Sequence, residues 1–325
     1  MNAWSREARA VDVLVVGAGP AGLAAAARLA ALGTGRVEVL EREPEGGGAP
    51  RFCAHPGFGA DPRGRALDGP GYARRAVRAA GRAGAVLRTG VSVVGWAGPL
   101  ALETATPTGP ETLAARAVVL ATGARERSRP ARLLPGTRPE GVLTAGELHR
   151  TVALFGPRPE RIGRRAVVVG GGPTGGHAVS LLRRAGVTVA AVVREERYAA
   201  ALGVPVAAET VVTELTGRGR LAAVTVRNRH GHTRSIRCDT LVLTGDWIPE
   251  HELARAGGLP LAPGTRAPLV DATLCTAVPG VFAAGGLLRG GTPAVRAAAE
   301  GRRAAEAVRA YLEGGARDGR PGSPG

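Results

Sequence analysis

The residues of this 325-residue chain best placed to do chemistry are glycines. Gly17, Gly19 and Gly22 have the GxGxxG spacing in Val15-Val16-Gly17-Ala18-Gly19-Pro20-Ala21-Gly22. Gly170, Gly172 and Gly175 repeat it 153 positions later, in Val168-Val169-Gly170-Gly171-Gly172-Pro173-Thr174-Gly175. The chemistry this spacing serves is the holding of a pyrophosphate: the first glycine makes a tight turn, the second lets the backbone approach a phosphate, and the third lets a helix close on its strand. The N–H groups at the helix start face the anion. An acid at the end of the following strand takes the ribose hydroxyls, and Glu41 stands 24 positions after Gly17. The matching position after Gly170 is Arg194, which suits the 2′-phosphate of NADPH better than the ribose of NADH. Glu195 and Glu196 adjoin it, and a one-residue shift would restore an acid and favour NADH.

Other reactive side chains are sparse. Cys53 lies in Gly46-Gly47-Gly48-Ala49-Pro50-Arg51-Phe52-Cys53 with His55 just beyond it. A thiol there could stabilise a charged intermediate, or simply pack; His55 is the histidine to test for acid–base work. Cys238 and Cys275 precede strand-like runs and read as core. His230 and His232 flank Gly231 between two strand-like runs, with no third metal ligand apparent, so a solvated hairpin tip is expected. His149 is expected on the polar side of a helix. Trp247 either covers a cofactor edge or packs as an anchor.

These residues need positioning elements, and the chain provides them twice. Short apolar runs at 11–16 and 166–169 read as buried parallel strands. Helical patterns follow at Leu23–Leu32 and His177–Ala185, each ending at a glycine, Gly33 or Gly186. Second strands are predicted over Val37–Leu40 and Val187–Val193. A strand–GxGxxG–helix–strand frame is the context in which the motif signifies dinucleotide binding. Further buried strands end in small turns at Ala121-Thr122-Gly123 and Thr244-Gly245-Asp246, and Val278–Gly286 is a strand running into glycines. Thr292 and Pro293 then read as N-cap and first residue of an Ala/Arg-rich helix reaching about Tyr311. Its start offers a partial positive charge that would favour an anionic group placed against it. Thr144 and Glu147 have capping-box spacing before Leu148, Val152 and Phe155.

Composition removes several alternatives. All 43 basic residues are Arg, so no Walker phosphate loop and no Schiff-base lysine can exist. The net charge of +16 goes with abundant Arg, Ala, Gly and Pro, a pattern of GC-rich codons, and aromatics are 3%, leaving few platforms for base stacking. No nucleic-acid partner is therefore expected. No apolar run approaches the roughly 20 residues of a membrane span. Trp4, Ser5, Arg6 and Glu7 interrupt the N-terminal region, so no secretory signal is expected. Three scattered cysteines make no disulfide framework, CxxC pair or Cys-rich zinc site, which points to a reducing cytoplasm.

From Val11 to about Tyr311 the chain resembles the pyridine nucleotide–disulfide oxidoreductase superfamily, in its thioredoxin reductase-like branch with two dinucleotide-binding domains. Gly141-Val142-Leu143-Thr144-Ala145-Gly146 looks most like the FAD-containing subunits of opine oxidase, hydrogen cyanide synthase and related amine dehydrogenases. The resemblance implies an α/β fold with two Rossmann-like units, the second inserted in the first. A discontinuous FAD domain would cover 1–123 and 244–325, with a shortened NAD(P)-type domain at 124–243. The tail 314–325 is rich in Gly, Pro and Arg and is expected to be disordered on that composition. It implies an FAD site at Gly17, Ala18, Gly19, Pro20, Ala21, Gly22, Glu41, Arg42, Gly48, Val93, Ala121, Thr122, Gly123, Gly285, Gly286, Thr292 and Pro293. The NAD(P) site would use Gly170, Gly172, Pro173, Thr174, Gly175, Arg194 and Gly245. The implied substrate is a small amine or amino-acid-like molecule. A flavin or iron–sulfur partner subunit, or a second copy of the chain, is the implied protein partner.

Three departures qualify what the resemblance implies. The region 141–165 has no cysteine where thioredoxin reductases carry CxxC, which argues against dithiol reduction. Gly286 stands where the family has an Asp that holds the ribityl chain. About ten residues, 194–203, follow the second strand of the nucleotide unit, too few for a full crossover helix and its loops. A non-catalytic or electron-relay subunit of a larger dehydrogenase is the competing reading.

Overall fold

A computed structural model describes residues 8–197 and 203–318. Residues 1–7, with Trp4–Glu7, lie outside the described residues, as do 198–202 and 319–325. The chain divides into two compact units, Met1–Arg125 with Ile248–Gly325, and Glu126–Trp247.

In the first unit five strands run parallel in the order Val86–Thr89, Val37–Glu41, Arg9–Val16, Gly109–Leu120 and Val281–Ala283. Ser92–Gly98, Ala101–Thr106 and the first half of Gly109–Leu120 form an antiparallel meander on the same sheet. Val13, Leu14 and Val15 are fully buried, because both faces of the central strand are covered. Helix Pro20–Ala31 buries Leu23, Ala25, Ala26 and Leu29, and Gly33 at φ +69° takes the left-handed position that closes it. Gly301, in helix Ala294–Asp318, has no side chain because a Cβ there would strike the Ala21 carbonyl; the two helices touch at this point. On the strand Val37–Glu41, which is paired on both sides, Glu38 is fully buried and accepts hydrogen bonds from Arg9 (2.6 and 2.7 Å) and Arg36 (2.7 Å). Burial alone would raise its pKa, but these guanidinium groups outweigh burial and hold the carboxyl at about 2.

The second unit repeats the plan. Its parallel order is Val142–Thr144, Thr240–Leu243, Arg165–Val169, Thr188–Val193 and Val206–Ala207. An antiparallel meander, Thr210–Arg218, Arg220–Asn228 and Thr233–Arg237, accompanies it. His230 and His232 lie exposed between the last two of these strands, the expected hairpin tip. Helix Gly172–Arg184 ends at Ala185, followed by Gly186 at φ +73°. In each unit the glycine strand sits between neighbours reached in opposite directions, so its carboxyl end opens into the crevice where such sheets bind ligands. In each unit the strand two places from the glycine strand, on the side away from the second strand of the nucleotide unit, leads toward a helix: Val281–Ala283 is followed by the short Gly286–Arg289 helix and then Ala294–Asp318, and Val142–Thr144 runs directly into Ala145–Phe155.

Several expectations need correction. Helix Ala294–Asp318 continues past Gly314, so the first part of the segment expected to be disordered is helical. An Arg309–Glu313 ion pair at 2.7 Å supports that last stretch. His149 is buried, 7% exposed, because helix Ala145–Phe155 turns Ala145, Leu148 and His149 inward. That rotation leaves Phe155 exposed on the last turn, where the Arg161 guanidinium covers its ring at 5.3 Å. The short crossover at 194–203 falls partly on residues outside the described ones. Its product is present, since Val192 and Val193 pair in parallel with Val206 and Ala207. Trp247 is 37% exposed.

Candidate dinucleotide sites

In the first unit the three glycines of the motif have three different physical roles. Gly17 turns at φ +101°, and a Cβ there would stand 2.5 Å from the Ala121 carbonyl oxygen. A Cβ on Gly22 would strike the Gly17 carbonyl. Both are demanded by the chain itself. Gly19 has an ordinary φ of −81°, and a Cβ there would meet nothing within 4 Å. Its missing side chain leaves room for something that is not protein. Gly19 is also the N-cap of the Pro20–Ala31 helix, with no side-chain cap and no acid in the first turn. The Glu41 carboxylate, buried at the strand end, accepts the Ala18 N–H at 2.8 Å and the Glu43 N–H at 2.9 Å.

Distant turns converge on this point. The Gly46–Gly48 loop is tied down by the Gly47 N–H donating to Ala18 O at 2.7 Å, and a Cβ on Gly48 would approach Gly19 Cα to 2.9 Å. Ala121 abuts Gly17, Gly285 abuts Ala21, and Gly286 abuts Gly123. Thr122 is turned away, its hydroxyl donating to Glu250 O at 2.8 Å. Arg42 is exposed and 3.8 Å from the Glu250 carboxylate. Val93 pairs with Thr104 in the meander; the residue joined to the Glu41 backbone is Val91, whose N–H donates to Glu41 O at 2.9 Å.

Thr292 and Pro293 each lie one position further out than expected. The first helical bond runs from Ala297 N–H to Pro293 O at 2.9 Å, so Pro293 is the cap and the helix proper begins at Ala294. Thr292 lies one residue outside, and its hydroxyl oxygen is buried with no protein hydrogen-bond partner. Glu300, which sequence reasoning missed, is buried on this helix; it accepts the Gly285 N–H at 3.0 Å and is paired with Arg289. Its only signal was an acid following the Ala298-Ala299 run in the first turns of an Ala/Arg-rich helix. Cys53 is half-buried, its thiol 3.5 Å from Ala49 O. The His55 ring stacks near Phe58 at 5.2 Å, and Phe58 near Tyr72 at 6.1 Å; His55 Nδ1 lies 2.8 Å from Pro56 O.

The open face at Gly19, the uncapped helix start, the carboxylate of Glu41 and the orphaned Thr292 hydroxyl together fit FAD. Gly17–Gly22 would take the pyrophosphate, Glu41 the adenosine ribose, and the Gly285–Gly286 turn with Thr292 the ribityl and ring end.

The second unit has the same turn with altered edges. A Cβ on Gly170, at φ +105°, would strike the Thr244 hydroxyl, and one on Gly175 would lie 3.0 Å from Gly170 O. Gly172, at φ +65°, faces open space, with Pro173 and Thr174 following in the first turn of the helix. The N-cap is Gly171, one residue earlier than in the first unit. The Arg194 side chain is only 10% exposed; a Cβ on Gly171 would stand 3.1 Å from its Cζ. Its Nε is 3.4 Å from Glu196, while Glu195 is exposed. Gly245, at φ +67°, donates its N–H to Glu126 at 3.1 Å. The other Glu126 oxygen accepts the Gly146 N–H at 2.8 Å, and burial pushes this carboxyl's pKa up. Thr144 and Glu147 form both bonds of the capping box, at 2.7 and 3.2 Å. Burial raises the Cys238 thiol to about 11 and raises Cys275 as well. Among the described residues no helix is long and apolar enough to cross a membrane.

Comparison with known proteins agrees with this geometry. An opine oxidase subunit from Agrobacterium tumefaciens (strain Ach5) is 34% identical over 184 residues, 50% of this chain. The match spans about a third, 32%, of that protein's length. Thioredoxin reductase of T. acidophilum superposes with a TM-score of 0.75 at 23% identity, over 94% of this chain and 99% of that one. L-proline dehydrogenase from P. horikoshii superposes with a TM-score of 0.66 at 17% identity, over 99% of this chain and 62% of that one. The pattern of the pyridine nucleotide-disulphide oxidoreductase family matches residues 11–301, and with its paired glycine turns the chain belongs to that family of FAD- and NAD(P)-dependent oxidoreductases.

Proposed function

We propose that the discontinuous unit holds FAD, the inserted unit takes NAD(P)H, and the protein oxidises or reduces a small amine or amino-acid-like substrate rather than a disulfide. The observation that carries the last point is the start of helix Ala145–Phe155. The segment 141–165, where a dithiol would stand, has no cysteine, and its helix start is filled by Thr144, Glu147 and Glu126. The raised thiols of Cys238 and Cys275 are poor thiolates at neutral pH, which supports the same reading. The three widely separated cysteines make no disulfide framework, which supports a reducing cytoplasm. FAD, when bound, supplies the hydride and single-electron chemistry; the chain's residues bind and orient it. Arg194 beside Gly171 supports NADPH over NADH, because a guanidinium pairs with a 2′-phosphate and has no acceptor for ribose hydroxyls. The amine assignment rests on the 34% identity with the Agrobacterium opine oxidase protein.

A second reading, an electron-relay or non-catalytic subunit, is favoured by Gly286 and by that relative being one subunit of its enzyme. The deciding experiment reconstitutes the protein with FAD and follows the flavin spectrum anaerobically with NADPH, NADH, amino acids and opine-type secondary amines. Bleaching by an amine supports the oxidoreductase reading. Flavin binding without reduction by any of these supports the relay. Thioredoxin or small-disulfide turnover that is lost in the C53S/C238S/C275S triple variant would overturn the non-disulfide assignment.

A further inference from the structure

Glu126 ties two parts of the second unit together. One oxygen accepts the N–H of Gly245, in the turn after strand Thr240–Leu243; the other accepts the N–H of Gly146, in the first turn of helix Ala145–Phe155. Arg132 grips the same turn from its carbonyl side, donating to Thr244 O at 3.1 Å and Gly245 O at 2.7 Å. Arg127 completes the hold: its N–H donates to Asp246 O at 2.9 Å, and its guanidinium is 3.0 Å from the Asp246 carboxylate. Asp246 itself sits at φ +52°, a conformation a non-glycine residue keeps only when its surroundings enforce it.

The sheet order says what this turn faces. Strand Arg165–Val169 delivers the glycine turn, and Arg194 lies at the end of its neighbour Thr188–Val193 on one side. If the adenosine half runs toward Arg194, the other half of the dinucleotide runs to the opposite side, across Thr244–Asp246 toward the start of helix Ala145–Phe155. In the first unit the corresponding helix start leaves the Thr292 hydroxyl without a protein partner. In the second, the chain's own carboxylates fill that place.

We propose that Glu126 is a positioning residue for the nicotinamide half of NAD(P)H, fixing the Thr244–Asp246 turn and the helix start as one surface. The assignment rests on the second unit taking NAD(P)H. Glu126→Gln tests it, because a carboxamide has one acceptor oxygen and sets an N–H₂ against the other donor. FAD-loaded full-length protein is titrated with NADPH and, separately, with adenosine 2′,5′-bisphosphate, which carries the adenosine half alone. The expected result is an NADPH Kd raised about tenfold or more with the bisphosphate Kd and the FAD content unchanged. KM for NADPH should rise while kcat for flavin reduction stays within a few-fold.

NADPH affinity that is unchanged, or that falls in step with the bisphosphate, overturns the assignment alone. Wild-type protein that binds neither NADPH nor NADH overturns the nucleotide reading and this assignment with it. Should Glu126→Gln fail to fold, Arg132→Met removes the opposite grip on the same turn, and the same split between NADPH and the bisphosphate is required of it.

Discussion

The guanidinium of Arg194 lies against Gly171 so closely that a methyl group there would stand 3.1 Å from its Cζ. The equivalent pair in the first unit, Glu41 and Ala18, is joined by a hydrogen bond of 2.8 Å from the Ala18 N–H to the carboxylate. One position thus offers an acceptor in the first unit and a cation in the second. The neighbouring residue changes with it: alanine sits beside the carboxylate, and a Cβ on Gly171 would crowd the guanidinium. The first unit is suited to ribose hydroxyls and the second to an anion.

Arg194→Ala should therefore remove a preference for NADPH. An Arg–phosphate contact in a partly exposed site contributes roughly 1.5–3 kcal/mol, or about 10- to 150-fold. Stopped-flow reduction of the flavin by each nucleotide measures it: the NADPH-to-NADH ratio should fall by that factor with the NADH rate unchanged. Equal rates for both nucleotides in the wild type would refute the role of Arg194. Rapid reduction by NADH alone would point to Glu195.

Gly19 and Gly22 should respond to the same substitution in opposite ways. Gly19→Val enters open space at an allowed φ, so the protein should fold with a near-normal Tm and fail to retain FAD. Gly22→Val meets the Gly17 carbonyl and should lower stability itself, by more than the roughly 1–3 kcal/mol of ordinary overpacking. Thermal unfolding without FAD, followed by flavin titration, separates the two. A Gly19→Val protein that binds FAD normally would show that the cofactor does not approach this turn.

Much of this arrangement is legible in the sequence because its causes are local. A buried parallel strand is an uninterrupted apolar run, as at Val13–Val16, and a capping box such as Thr144 with Glu147 spans four residues. Residues whose partners are remote leave no such trace. Glu126 bonds to Gly245, 119 positions away, and nothing in its neighbouring residues marks that partner. Helical phase alone puts His149 on a polar side, yet the packing of that helix decides which face is inward. Thr292 has the composition of an N-cap, but Pro293 provides the first helical carbonyl and leaves the hydroxyl outside the helix.

The Glu38 cluster predicts how stability of the first unit depends on pH. Its carboxyl sits at about 2 in the folded protein against an ordinary value of 4.5, so the folded state binds its proton less readily than the unfolded state. The sign follows: the contribution is fully present above about pH 5 and is lost as the pH falls through 4.5 toward 2. Chemical denaturation at a series of pH values should show this decline, and Glu38→Gln should flatten it. A wild-type profile that stays level from pH 5 to about 3 would count against the cluster as drawn.

Gly286→Asp should strengthen FAD binding. In the family an Asp at this place holds the ribityl chain, and here the position is glycine for no steric reason. A Cβ on Gly286 would find Ala124 N at 3.4 Å and Gly123 at 3.5 Å, ordinary van der Waals contact, and its φ is not in the left-handed region. The new carboxylate would stand at the start of the short Gly286–Arg289 helix, where exposed N–H groups favour negative charge. One charge-assisted hydrogen bond to a ribityl hydroxyl is worth roughly 1.5–3 kcal/mol, so the FAD Kd should fall about tenfold or more. Titration of the apoprotein, read by quenching of flavin fluorescence, gives the value directly. An unchanged Kd with unaltered stability would mean that the chain already fixes the ribityl chain by other groups. Glu300 is then the next candidate, acting through its hold on the Gly285 N–H. A Glu300→Gln variant that releases flavin, beside a Gly286→Asp variant with no effect, would place the clamp on the helix rather than on the turn.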